Sequence, residues 1–203
     1  MKIFGIGLNK TGTLSLHHAL LQLGYTSQHW NPSNFRLFSK GQFDQLLSVT
    51  DKFDCLSDWP WPLMMNQLLD HYGDKAKFVL TTRRDSIAWL GSVKNHAKRH
   101  DDRAARRIRT QIFGFASPLG VEEHYLELYE RHNRNVREYF TKLGLTGHLL
   151  DVSWDKGDGW LELCEFLNVS IPNANFPHQN KVSTLQQGSV LNRINTSMMR
   201  RVD

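Results

Sequence analysis

Short apolar runs alternate with amphipathic stretches from the first residues to about position 167. The runs at 2–6, 26–29, 53–56, 77–82 and 148–152 have the length and apolar density of strands covered on both faces. Between them a helical period predicts helices over 13–23, 33–38, 42–48, 62–72, 86–99, 102–113, 122–143 and 159–167. Gly24, Gly73 and Gly144 fall where three of these should stop. Strands that take turns with helices predict an α/β fold in three layers, α/β/α, around a central and mainly parallel sheet. Right-handed crossovers bring the C-terminal strand ends to one edge, where such sheets bind ligands. From Ser170 onward Pro172, Pro177 and many Asn, Ser and Gln predict irregular backbone that wraps toward that edge, with 183–203 a loosely ordered tail.

The first strand leads into the most informative loop. Residues 2–16, KIFGIGLNKTGTLSL, run from strand through Asn9, Lys10, Thr11, Gly12 and Thr13 into a helix that carries Leu14 and Ser15. Backbone N–H groups at a helix start converge on one point, the helix dipole favours an anion there, and Lys10 adds a full charge. The hydroxyls of Thr11, Thr13 and Ser15 add donors, and Gly12 lets the backbone approach a phosphate oxygen. The fold expected is therefore P-loop-like. The loop differs from that of nucleotide triphosphatases, G-x-x-x-x-G-K-[ST], because its Lys stands two residues before the Gly and Thr13 follows it. No Lys-Ser/Thr pair is left at the usual Mg²⁺ position.

Length and composition narrow the class. A chain of 203 residues with 40% hydrophobic and 22% charged residues fits one globular domain, 1–203, without repeats. No run approaches the roughly 18 apolar residues of a membrane span, and no secretory leader opens the chain, so a cytoplasmic location is expected. Cys55 and Cys164 lack metal spacing and are expected to be reduced and buried. The net charge of +5 points to an anionic partner. Part of it lies in Lys94, Lys98, Arg99, Arg103, Arg106, Arg107 and Arg109, which read as a solvated helix face. No aromatics interleave with these charges to stack bases, so no nucleic-acid partner is expected.

The fourth strand ends in Arg83-Arg84-Asp85-Ser86, with Ser92 eight residues after Arg84. Together with Lys10–Thr11–Gly12–Thr13 this resembles the two nucleotide signatures of sulfotransferases that use 3′-phosphoadenosine 5′-phosphosulfate. The stretches 129–133, 157–160, 164–167 and 176–181 extend the resemblance, which looks like a compact bacterial-type branch and runs from about residue 2 to 182. It implies that Lys10, Thr11, Gly12, Thr13, Leu14 and Ser15 hold the 5′-phosphosulfate and that Arg84 and Ser92 hold the 3′-phosphate. An Arg offers a planar fork to phosphate, and a Ser two helical turns on reaches the same anion. Asn180 and Lys181 are implied as further nucleotide contacts. Two departures stand out: Ser86 replaces the usual Pro and should loosen that turn, and the doubled Arg83-Arg84 leaves two guanidinium groups to choose from. The spacing favours Arg84.

Cytosolic members of the family carry His-x-Pro before the helix that leads to the Arg strand, and the His removes the acceptor proton. Here the tripeptide is Asp58-Trp59-Pro60, which implies a carboxylate base. An exposed Asp near its reference pKa of about 3.9 is a weak base at neutral pH, so burial beside Trp59 and Trp61 has to raise it. Asp58 is also suited to cap a helix that starts near Pro60. The ten histidines show no metal-ligand pattern, with His132 and His178 kept as alternative bases. Trp59, Trp61, Met64, Met65, Phe113 and Phe115 are candidates for an apolar acceptor pocket or for the core. The function implied is transfer of a sulfuryl group to a hydroxyl or amine of a small acceptor, without a metal, leaving adenosine 3′,5′-bisphosphate. The alternatives are a metal-dependent kinase on the same core and a non-catalytic nucleotide-binding protein.

Overall fold

In a computed structural model that describes residues 1–177, five parallel strands form one sheet in the order β2-β3-β1-β4-β5. They are β1 (Lys2–Gly5), β2 (Ser27–Gln28), β3 (Cys55–Ser57), β4 (Ala76–Thr81) and β5 (Leu149–Val152). The helices are α1 (Thr13–Gln22), α2 (Pro32–Ser39), α3 (Phe43–Thr50), α4 (Met65–Tyr72), α5 (Ser86–Arg99), α6 (Arg103–Phe113), α7 (Glu122–Lys142) and α8 (Trp160–Leu167). The α/β expectation holds, and the sheet is wholly parallel.

Side-chain alternation explains the layers. Phe4 on β1, Ile6 just past its end, Leu56 on β3 and Phe78 and Leu80 on β4 face α3, α4 and α7 in one buried cluster, against Leu46, Leu68 and Phe140. Ile3, Cys55 and Val79 face the other way, onto Leu16 and Leu20 of α1 and Leu163 and Cys164 of α8. Cys55 and Cys164 are both buried free thiols. Helix ends follow local chemistry: Gly24 and Gly144 take positive φ just past α1 and α7, and Asp85 caps α5 by accepting the Ala88 N–H at 2.6 Å. That cap holds the turn in which Ser86 replaces Pro. The helix expected over 62–72 starts only at Met65, because Trp61–Leu63 winds as a 3₁₀ turn behind Pro60. Residues 171–177 form no helix or strand. The tail expected to be loose, and the candidates His178, Asn180 and Lys181, lie outside the described residues.

A third buried cluster sits over the C-terminal edge of the sheet. Leu8, Trp59, Trp89, Phe113, Tyr125 and Tyr129 pack there, with Tyr129 stacked on Trp89 at 4.6 Å. It ties α5, α6 and α7 to the loops after β1 and β3. No helix among the described residues is long and apolar enough to cross a membrane.

Candidate functional site

The chain leaves β1 toward one side of the sheet and later returns to its other side as β4, so the strand order reverses there. A cleft of about 600 Å³ opens above that point, within the usual size of a small-molecule site. Its floor is the loop of Asn9, Lys10 and Gly12 and the first turn of α1, with Thr13, Leu14 and Ser15. Asp58 and Trp59 border it from β3, Arg83 from β4, His29 and Trp30 from β2, and Ser92 and His96 from α5. Ile108, Ile112 and Phe113 of α6 supply an apolar wall.

The loop after β1 is braced through its carbonyls. His132 Nε2 donates to Ile6 O at 2.8 Å, Thr11 Oγ1 to Leu8 O at 2.6 Å, Trp89 Nε1 to Asn9 O at 2.9 Å and Trp154 Nε1 to Gly12 O at 3.1 Å. With the carbonyls engaged by outside donors, the N–H groups at the start of α1 are left to face an anion, and no acidic residue stands in that first turn. Lys10 and Gly12 both take positive φ, 70° and 100°. A Cβ on Gly12 would collide with the Trp154 indole. Gly12→Ala is therefore expected to lower stability in urea denaturation by about 2–4 kcal/mol, from left-handed strain plus overpacking, and to abolish anion binding at the loop.

Asp58 follows β3 directly, with φ 68° and a side chain only 13% exposed. Its Oδ1 accepts the Trp59 N–H at 2.8 Å. It gives no side-chain cap to the 3₁₀ turn that follows, so the capping role is not realised. Burial raises its pKa to about 6, against the lowering effects of the Trp59 N–H and of Lys10. Burial also pushes the Lys10 ammonium below its usual range, with Arg99 and Arg83 acting the same way and Asp58 opposing them. Both groups border the cleft, and each opposes the shift that burial imposes on the other.

The structure brings Lys10, Gly12, Thr13, Leu14, Ser15, Asp58 and Ser92 together around the cleft. Thr11 lies behind the loop, 1% exposed, where its hydroxyl also meets Thr81 Oγ1 at 2.7 Å. Arg84 does not border the cleft: its side chain is 66% exposed, with Nε 3.4 Å from Asp85 Oδ2. Arg83 does, and its Nε lies 2.5 Å from Asp155 Oδ2. His132 is turned away to its carbonyl partner. Of the apolar candidates, Trp59 and Phe113 border the cleft, whereas Trp61 and Met64 are core and Phe115 is exposed.

The basic segment is not a uniform solvated face. Arg109 is 6% exposed, bordering the cleft and donating to Ala116 O and His100 O, both at 2.6 Å. His29 is a site residue that motif spacing did not single out, since it belongs to no sequence pattern. Its ring is held neutral, with a pKa lowered to about 4 by burial, His18 and Lys10. Among the described residues no group of three or more His, Cys, Asp or Glu is arranged to hold a metal ion.

Comparison with known proteins adds two findings. The family model described as "Sulfotransferase domain" matches residues 2–185. The chain is also similar to "Ava biosynthesis cluster protein M" of Aspergillus versicolor, 27% identical over 219 aligned residues that cover 88% of this chain and 80% of that protein.

Proposed function

This chain belongs to the sulfotransferase domain family, and on that premise we propose that it moves a sulfuryl group from 3′-phosphoadenosine 5′-phosphosulfate to a hydroxyl, or an amine, of a small and largely apolar acceptor. The observation that carries the reading is the single cleft shared by an anion cradle with its lysine and a carboxylate of raised pKa. The cleft suits the donor: the helix start and Lys10 suit a 5′-phosphosulfate, and Ser92 with Arg83 suits a 3′-phosphate. The donor supplies a sulfur electrophile on a phosphate leaving group. Lys10 and the α1 N–H groups offset charge as it gathers on the leaving oxygen. Asp58 takes the proton from the acceptor, which the wall of Trp59, Ile108, Ile112 and Phe113 keeps in place and shields from water.

A sulfuryl group bears less charge than a terminal phosphoryl group, so this charge set replaces the Mg²⁺ that phosphoryl transfer uses. Binding and turnover are therefore expected to persist in EDTA. Calorimetry without divalent metal, comparing adenosine 3′,5′-bisphosphate with ADP and ATP, tests the reading. The bisphosphate is expected to bind at least about 10-fold more tightly, the worth of one charged hydrogen bond. Arg83→Ala is expected to lose that preference, because Arg83 borders the cleft with Ser92. Loss in Arg84→Ala instead assigns the 3′-phosphate to the arginine that the spacing favours. Tighter ATP binding that needs Mg²⁺ overturns the donor and moves the site to phosphoryl transfer.

A further inference from the structure

Building on the reaction proposed above, we propose that His29 is a positioning residue, which holds the Asp58 carboxylate and the Thr13 hydroxyl of the phosphate loop in one register. The three residues come off three neighbouring strands, β2, β3 and β1, at the same edge of the sheet. His29 follows Gln28 at the end of β2, Asp58 follows Ser57 at the end of β3, and Thr13 opens α1 after β1. The His29 Nε2 atom lies 3.0 Å from Thr13 Oγ1 and 3.4 Å from Asp58 Oδ2. One ring nitrogen thus spans the donor side of the cleft and its base.

The tautomer follows from the partners. A carboxylate oxygen near Nε2 favours a proton on that nitrogen, so a neutral ring donates Nε2–H to Thr13 Oγ1 and keeps the same polar edge in contact with the Asp58 carboxylate at 3.4 Å. The surroundings keep the ring neutral and still. Burial disfavours an imidazolium, and His18 of α1 and Lys10 of the loop after β1 act the same way. His17 stands behind it with ring centroids 5.7 Å apart and is fixed by Ser27 Oγ at 2.8 Å. Asp58 in turn faces His29, Lys10 and the Trp59 N–H. Oδ1 is occupied by that N–H, so the contact of Oδ2 with the His29 ring edge sets how the carboxylate is turned toward the acceptor.

The test is a ¹³C-carboxyl NMR titration of Asp58 in the wild type, His29→Phe and His29→Gln, run beside pH profiles of kcat and KM. Phe keeps the ring and excludes water but has no donor; Gln returns an N–H near the same place. In His29→Phe the Asp58 midpoint is expected to rise by about half a unit or more, with the acid limb of the kcat profile moving by the same amount. kcat is expected to fall about 10- to 100-fold with KM for the acceptor nearly unchanged, the cost of a misaimed reacting group. His29→Gln is expected to restore the midpoint and most of the rate. If His29→Phe does not fold, His29→Leu serves the same comparison. An Asp58 midpoint and acid limb equal to those of the wild type overturn the role of His29. A wild-type protein without sulfuryl transfer overturns the reaction, while the carboxyl titration still decides whether His29 acts on Asp58.

Discussion

Asp58→Asn is expected to cut turnover by about 10²–10⁴-fold at neutral pH, the usual worth of a positioned general base, while leaving bisphosphate affinity unchanged. The same substitution is expected to stabilise the fold. Asn tolerates the left-handed backbone at this position and keeps an oxygen for the Trp59 N–H, so the geometry survives and only the buried charge is lost. The sign with pH follows from the raised pKa of about 6 against an ordinary 3.8. Between these values the native state holds a proton that the unfolded chain has released, so stability falls as pH rises through the window. Above it the cost is fully present. At pH 8 the variant should therefore gain about 3 kcal/mol, or about 6–12 °C in melting temperature, and at pH 4 almost nothing. Wild-type turnover should rise with pH to about 6 and then level off, as Asp58 ionises. Calorimetric melts at the two pH values and a pH–rate profile check both halves. A variant that keeps its activity removes Asp58 as the base.

Lys10→Met is expected to lower kcat by about 10²–10³-fold, the loss found when one preorganised donor to a developing charge is removed. Its effect on bisphosphate affinity should be far smaller, because the α1 N–H groups and Ser92 remain. Met keeps the length of the side chain, and Lys10 is already a non-glycine residue at positive φ, so no new backbone strain enters. Single-turnover kinetics at saturating donor separate the two quantities. Equal losses in binding and turnover would make Lys10 a ground-state anchor.

The sheet and its helices were legible because periodicity records burial. The strand 77–82 and helix 86–99 read from the sequence match Ala76–Thr81 and Ser86–Arg99. The phosphate loop was legible too, since a helix start after a strand needs few residues to declare itself. What the sequence hid are contacts that no spacing encodes. His29, Thr13 and Asp58 meet only because β2, β3 and β1 lie side by side. Arg109 looked like one solvated charge among several, yet two backbone carbonyls and Asp101 draw it inward. Doubled arginines give the same pattern whichever points in, so motif spacing selects Arg84 while the wall of the cleft contains Arg83.

The indole of Trp154 donates to the Gly12 carbonyl across 142 positions of sequence and packs, tilted by 40°, against the Phe176 ring with centroids 4.6 Å apart. The loop that begins the chain is thus completed by residues near the end of the described structure. During synthesis on the ribosome, the first strand and helix emerge long before the indole that clamps them. A nascent chain therefore carries an unfinished anion cradle until Trp154 has been made, and a product cut short before Trp154 would keep every residue of the loop motif without its shape.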